Sequence, residues 1–209
     1  MNLMRFARLS VVTAAVFLPA SLPNADSLPP EEGPGPPSLT GQLLVASPEM
    51  RDPRFYHTVI LVVRHDRNGA LGIIINRPVE NRSLASLLEA MGEKDTGIPG
   101  SVRIFAGGPV QPEVGFVLHS PDYHRPETVD IDSRVAMTSS PQVLRDMGNS
   151  KGPTKSLLAF GYAGWKSNQL EGELQERAWF TAADDEKLIF DEDRDKVWEE
   201  AMKRRTQDL

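Results

Sequence analysis

The sequence predicts a single domain in which a β-sheet, covered on both faces, is combined with several short helices. A chain of 209 residues fits one domain with a sizeable core. The β-branched run 57–64 is the strongest strand signal. Its apolar residues are continuous rather than alternating, which is typical of a sheet buried on both sides. Other segments, such as 83–91, carry apolar residues at helical spacing.

The first 38 residues differ in composition from the rest and are expected to precede the folded domain, 39–209. Residues 1–25 have arginines, then an apolar stretch and small residues, which is the layout of a targeting segment. The apolar stretch is shorter than the roughly 20 residues of a membrane span. Residues 26–38 are rich in proline and predict an extended linker. A working signal would make the protein exported or periplasmic. The alternative is a disordered extension, or a misplaced start, before a cytoplasmic domain.

The first half of the domain predicts three strands and a helix. The strands have apolar or β-branched sequences and cover residues 39–46, 57–64 and 70–76. Asn68 and Gly69 suit a hairpin between the second and third of them. The helix covers residues 83–91, with Ser83 as its N-cap and Gly92 after its end.

The second half continues with strands and short helices. Strands are predicted over 102–106, 114–119, 129–139, 157–162 and 179–181, and helices over 141–147 and 169–175. The strand 114–119 is expected to pair closely with the strand before it. Beyond residue 183 the chain becomes strongly charged, and a helix docked by Trp198 is favoured over a free acidic tail.

Composition and missing motifs exclude several classes of function. The net charge of −6 disfavours direct nucleic-acid binding. Without cysteine there is no thiol nucleophile and no cysteine-based metal site. The sequence contains neither a phosphate loop nor a dinucleotide fingerprint. His119 and His124 flank Pro121 and Asp122 in a loop that offers no fixed ligand geometry. No metal, cofactor or membrane span in the folded domain is therefore expected.

Polar and glycine residues at predicted strand ends give a candidate binding cleft. The most informative stretch begins at Gly161, where an apolar run leads into a tight turn and the start of a helix. If the strand ends converge, eight residues would line one polar-rimmed cleft above an indole: Asn76, Arg77, Gly107, Gly108, His119, Trp165, Gln169 and Glu171. Each also has a plainer interpretation. Trp165 is most simply a core anchor, and Gly107–Gly108 a turn that ends a strand.

The chain resembles the YqgE/AlgH family of small bacterial proteins. The resemblance covers roughly residues 39–200 and rests on ordered segments that include Gly41-Gln42-Leu43-Leu44, Asn76-Arg77-Pro78, Gly107-Gly108-Pro109-Val110 and Gly161-Tyr162-Ala163-Gly164-Trp165. It implies an α+β fold with a mixed, partly coiled β-sheet flanked by helices. It implies no established activity, and the AlgH name comes from a proposed role in regulating exopolysaccharide (alginate) synthesis. Family members look cytosolic and start near Leu39, so the N-terminal extension is a departure.

Three hypotheses of function follow. The first is a non-catalytic, possibly regulatory protein that binds a small ligand or a protein partner in the cleft. The second is a hydrolase-like enzyme that uses His119 or His65 as a base together with Glu171. The third, direct transcriptional control, is disfavoured by the acidic composition and by the lack of a helix-turn-helix pattern.

Overall fold

The computed structural model describes residues 37–93, 97–191 and 193–206, which form one mixed α+β domain. The predicted signal-like segment 1–25 lies outside the described residues, as does the predicted linker apart from residues 37 and 38.

The domain is built on a curled, mainly antiparallel sheet. Its strands are β1 (Gln42–Ala46), β2 (Val59–Asp66), β3 (Gly69–Ile74), β4 (Pro78–Ser83), β5 (Ser101–Ala106), β6 (Val110–His119), β7 (Val129–Asp130), β8 (Ala136–Thr138), β9 (Ser156–Lys166) and β10 (Trp179–Ala183). The helices are α1 (Leu84–Ala90), α2 (Gln142–Gly148), α3 (Gln169–Gln175) and α4 (Val197–Lys203), with a π-helix at Lys187–Asp191. The strand order is β10-β1-β2-β3-β9-β6-β8-β7, while β5 joins β4 to β9. The pair of β5 with β9 is parallel, which makes the sheet mixed.

Strand β9 organises the sheet because it pairs with three other strands. It is antiparallel to β6 along one edge. Along the other edge it pairs with β5 over its first half and with β3 over its second half. The sequence predicts that this strand ends near Tyr162, in a turn at the glycines. Strand β9 instead continues to Lys166, because Gly164 still pairs with Leu71 of β3.

Apolar side chains are buried on both faces of the sheet, as the continuous apolar runs predict. Alternate residues of β1 enter different clusters, with Leu43 in one and Leu44 in the other. The first cluster includes Val197 and Ala201 of α4. The second includes Leu170 of α3, and a third gathers apolar side chains of α1 and α2 against β5, β6 and β9.

Several element predictions are confirmed and others are wrong. The hairpin of β2 and β3 forms, and Ser83 caps α1 by accepting a hydrogen bond from the Ser86 amide. Strand β4 was not predicted because its side chains are mostly exposed and polar, so it shows no apolar pattern. The strand predicted over 129–139 is two short strands, β7 and β8, with a turn between them. Strands β5 and β6 do not pair with each other, since both pair with β9.

Candidate functional site

Asn76 and Arg77 follow β3 and hold the loop that leads into β2. The Asn76 Oδ1 accepts a hydrogen bond from the Val59 amide at 2.9 Å, and its Nδ2 donates to the His57 carbonyl at 2.9 Å. The Arg77 Nη2 donates to the Tyr56 carbonyl at 3.0 Å. The two side chains therefore fix the backbone of residues 56–59, a role that the sequence analysis did not assign to them.

The loop held in this way presents a stack of three aromatic rings. The Tyr56 and His57 rings are 4.0 Å apart and nearly parallel, and the His57 and Trp198 rings are 3.8 Å apart. Trp198 is anchored because its Nε1 donates to the Ala46 carbonyl at 2.8 Å. Tyr56 ends the stack and is 51% exposed. His57 was predicted to begin a strand, but it has a left-handed φ of 53° and precedes β2.

Gly107 and Gly108 are used for close packing of two backbone segments. The Gly107 amide donates to the Phe160 carbonyl at 2.7 Å. A Cβ atom at Gly108 would lie 2.0 Å from the Tyr162 carbonyl carbon, and one at Gly161 would lie 2.3 Å from the Gly108 carbonyl oxygen. The backbone of β9 therefore occupies the space beside these glycines, as expected for a turn that ends a strand.

Trp165 and Gln169 meet at the corner between β9 and α3, around the carboxylate of Glu173. Its Oε2 accepts hydrogen bonds from the indole N–H of Trp165 and that of Trp179, each at 2.8 Å. Its Oε1 accepts from the Gln169 Nε2 at 2.9 Å, and the Gln169 Oε1 accepts from the Lys166 amide at 3.1 Å. These polar groups satisfy one another, so the corner is a closed network.

Glu171 pairs with His65, as the hydrolase hypothesis requires of a base and its carboxylate. The His65 Nε2 lies 2.8 Å from the Glu171 Oε1. The His65 Nδ1 accepts a hydrogen bond from the Leu39 amide at 3.0 Å, so Nε2 carries the proton that bonds to Glu171. Both ring nitrogens are occupied and the side chain is only 3% exposed. The imidazole therefore has no free nitrogen for a substrate.

His119 lies at the end of β6, fully buried. Its Nδ1 lies 2.9 Å from the Ser120 carbonyl oxygen and donates to it, and its ring packs edge-on against Tyr123. Its Nε2 has no hydrogen-bond partner among the described residues. Burial lowers the pKa of this imidazole, which therefore favours the neutral form.

The eight residues of the predicted cleft do not converge on one rim. His119 is paired with Ser156 at the start of β9, whereas Trp165 lies near its end. Nine residues of extended strand correspond to about 30 Å. Asn76, Arg77, Gly107 and Gly108 form a group near the middle of β9, where the Ala106 amide donates to the Arg77 carbonyl at 2.9 Å. The residues fall into three groups because the strand ends that carry them lie at different heights along β9.

A polar pocket that the sequence analysis missed lies between β1, β10 and the loop after β7. Its volume is about 340 Å³ and its lining is Thr40, Gly41, Gln42, Asp132, Arg134, Ala183, Asp184 and Thr206. Arg134 forms ion pairs with both aspartates, and the Asp184 side chain is 3% exposed. Burial, with the adjacent Asp132 carboxylate, raises the pKa of Asp184 to about 6. The two aspartates are 52 residues apart in sequence, so no local motif marks the pair.

Two kinds of feature are absent from the described part of the chain. It contains no group of three or more His, Cys, Asp or Glu side chains that could hold a metal ion. None of its helices combines the length and the apolar character needed to cross a membrane.

Comparisons with known proteins agree on one family. The family model described as AlgH-like (DUF179) matches residues 43–209. A UPF0301 protein from Jannaschia sp. (strain CCS1) is 43% identical over 166 residues, which cover 78% of this chain and 86% of that protein.

Solved structures give the same result for the fold. The solution structure of the AlgH protein from Pseudomonas aeruginosa matches with a TM-score of 0.69 and 38% identity, covering 82% of this chain and 90% of that one. A crystal structure of a protein from Corynebacterium diphtheriae matches with a TM-score of 0.63 at 18% identity, and this second similarity concerns the fold alone.

Proposed function

This chain belongs to the AlgH-like family, and from its own geometry we propose that it is a non-catalytic protein that binds a protein partner. The proposed binding site is the Tyr56 surface, defined as the stacked rings of Tyr56, His57 and Trp198 with Arg77, which bonds to the Tyr56 carbonyl, and Arg51 of the same loop. The observation that carries the proposal is the exposed ring of Tyr56 on a loop whose carbonyls are held by Asn76 and Arg77. Aromatic and arginine side chains are enriched in protein interfaces.

The histidines support a role without catalysis. A general base needs a lone pair within reach of the substrate. In His65 one ring nitrogen accepts from Leu39 and the other donates to Glu171, and His119 is fully buried. The His65–Glu171 contact is the best argument for the hydrolase alternative. Its simpler interpretation is structural: the hydrogen bond joins β2 to α3. A regulatory role, such as the one that the family resemblance implies for exopolysaccharide synthesis, would then act through the bound partner.

The proposal can be tested by selecting random peptides displayed on phage against the wild-type protein. We expect the recovered peptides to lose binding to the Tyr56→Ala variant, because the outermost ring of the stack is removed. Val129→Ala is the matched control, since Val129 is also 51% exposed but lies on β7, which pairs with β8 and not with β1 or β2. Peptides that bind the Tyr56→Ala variant as well as the wild type would reject the Tyr56 surface as the binding site.

A further inference from the structure

We infer that the Tyr56 surface recognises a protein segment in which an aromatic side chain is flanked by acidic residues. This inference rests on the proposed function and specifies the chemistry of the partner.

The shape favours a protein segment over a small molecule. Sites for small ligands are concave and bury most of the ligand. Tyr56 instead points outward at the end of the ring stack, where 51% of it is exposed. A planar ring from a partner can extend the stack of Tyr56, His57 and Trp198 by one more member, in the offset geometry that aromatic pairs prefer.

The arginines of the Tyr56 surface favour acidic neighbours for that aromatic residue. Arg51 is exposed on the same loop as Tyr56 and forms no ion pair with a carboxylate of the described residues. Arg77 donates one hydrogen bond to the Tyr56 carbonyl, and it too forms no ion pair within the described ranges. A guanidinium has five N–H donors, so both side chains can bind carboxylates. Arg54 is already neutralised by Asp52 at 2.7 Å.

The loop is held in place before any partner arrives. Asp52 accepts hydrogen bonds from the Arg54 amide and guanidinium, and the Phe55 ring packs edge-on against Trp179 at 5.5 Å. The Thr58 hydroxyl donates to the Phe55 carbonyl at 2.8 Å. His57 keeps a left-handed φ of 53°, which is unfavourable for a residue with a Cβ atom and is held here by the hydrogen bond of Asn76 to its carbonyl. A preorganised loop reduces the entropy lost on binding.

The test uses three synthetic peptides of equal length, each measured by calorimetry against the full chain. One has a central tryptophan flanked by glutamates, the second has the tryptophan flanked by lysines, and the third has alanine between glutamates. We expect the first to bind at least about tenfold more tightly than the other two. Arg51→Glu should weaken it by about tenfold, while Arg103→Glu, at an exposed position on β5, should not change its affinity.

The outcomes separate this inference from the proposed function. If the lysine-flanked peptide binds as tightly as the glutamate-flanked one, and both lose binding in Tyr56→Ala, the acidic preference is wrong but the Tyr56 surface stands. If the three peptides bind equally well to wild type and Tyr56→Ala, both proposals fail. A third outcome is that the glutamate-flanked peptide fails to bind while peptides recovered by phage selection do bind at Tyr56. That result overturns the inference about an acidic aromatic segment and leaves the proposed function intact.

Discussion

At the scale of single residues, the carboxylate of Glu173 fixes two indole rings, and that of Asp184 is expected to make stability depend on pH. Glu173 accepts hydrogen bonds from the indole N–H groups of Trp165 and Trp179 through one oxygen. Hydrogen bonds to a charged group contribute about 1.5–3 kcal/mol each, so this residue fixes both indoles against the sheet. Trp165 therefore serves as a core anchor, the plainer of the two interpretations that the sequence allowed.

The second carboxylate, Asp184, is expected to make stability depend on pH. Because its pKa is raised from 3.8 to about 6, the folded state binds this proton more tightly than the unfolded chain does. The resulting stability is fully present below pH 3.8 and is lost as the pH rises through about 6. Asp184→Asn keeps the uncharged form at every pH. Its free energy of unfolding, relative to the wild type, should therefore increase by about 1–3 kcal/mol between about pH 4 and about pH 7.5.

Urea denaturation of both proteins at the two pH values measures this difference. The comparison with the variant is needed because the lowered pKa of His119 acts in the opposite direction, with stability lost as the pH falls below 6.5. Both proteins share that histidine, so its contribution cancels. A relative stability that stays constant between the two pH values would show that Asp184 is ionised normally in the folded state.

At the scale of elements, the crossing of the β5–β6 connection over β9 depends on residues without side chains. A Cβ atom at Gly108 would lie 2.0 Å from the Tyr162 backbone, so Gly108→Ala must separate the two segments. We expect a loss of more than about 3 kcal/mol in the free energy of unfolding. Gly172, inside α3, is the matched control because a Cβ atom there meets nothing within 4 Å. Gly172→Ala should stabilise the protein by about 0.5–1 kcal/mol.

Thermal and chemical denaturation of the two variants would check this pair of predictions. Equal stabilities for Gly108→Ala and the wild type would mean that the backbone contact at Tyr162 is loose. A destabilised Gly172→Ala variant would mean that α3 has less room than the structure gives it.

At the scale of the whole molecule, the sequence predicts the elements better than it predicts how they meet. Strong local signals, such as the β-branched run of β2 and the Ser83 cap of α1, are confirmed because they depend on neighbours in sequence. The single cleft is wrong because it requires His119 and Trp165 to meet, and this depends on which strands pair with β9. Polar β4 gives no local signal, and its place is set by the ladder with β5.

Asn76 and Arg77 were singled out because they stand at a strand end, which is a local property. In the structure they bond to the carbonyls of His57 and Tyr56, and their role in binding stays a prediction. The Tyr56 surface was missed because its ring stack depends on the contact between His57 and Trp198, two residues that are 141 positions apart in sequence. Among the residues that the sequence singled out, Glu171 was expected near a histidine, and the structure places it beside His65.

The most direct test of the proposed surface is a map of backbone amide and tryptophan indole N–H NMR shifts while the protein is titrated with the strongest peptide recovered by phage selection. We predict that the perturbed signals cluster at residues 51–57, at Arg77 and at the Trp198 indole, whose rings and guanidinium groups form the surface. Perturbations confined to the Asp132–Asp184 pocket, or to α3 and its tryptophans, would contradict the account and move the binding site to that part of the molecule.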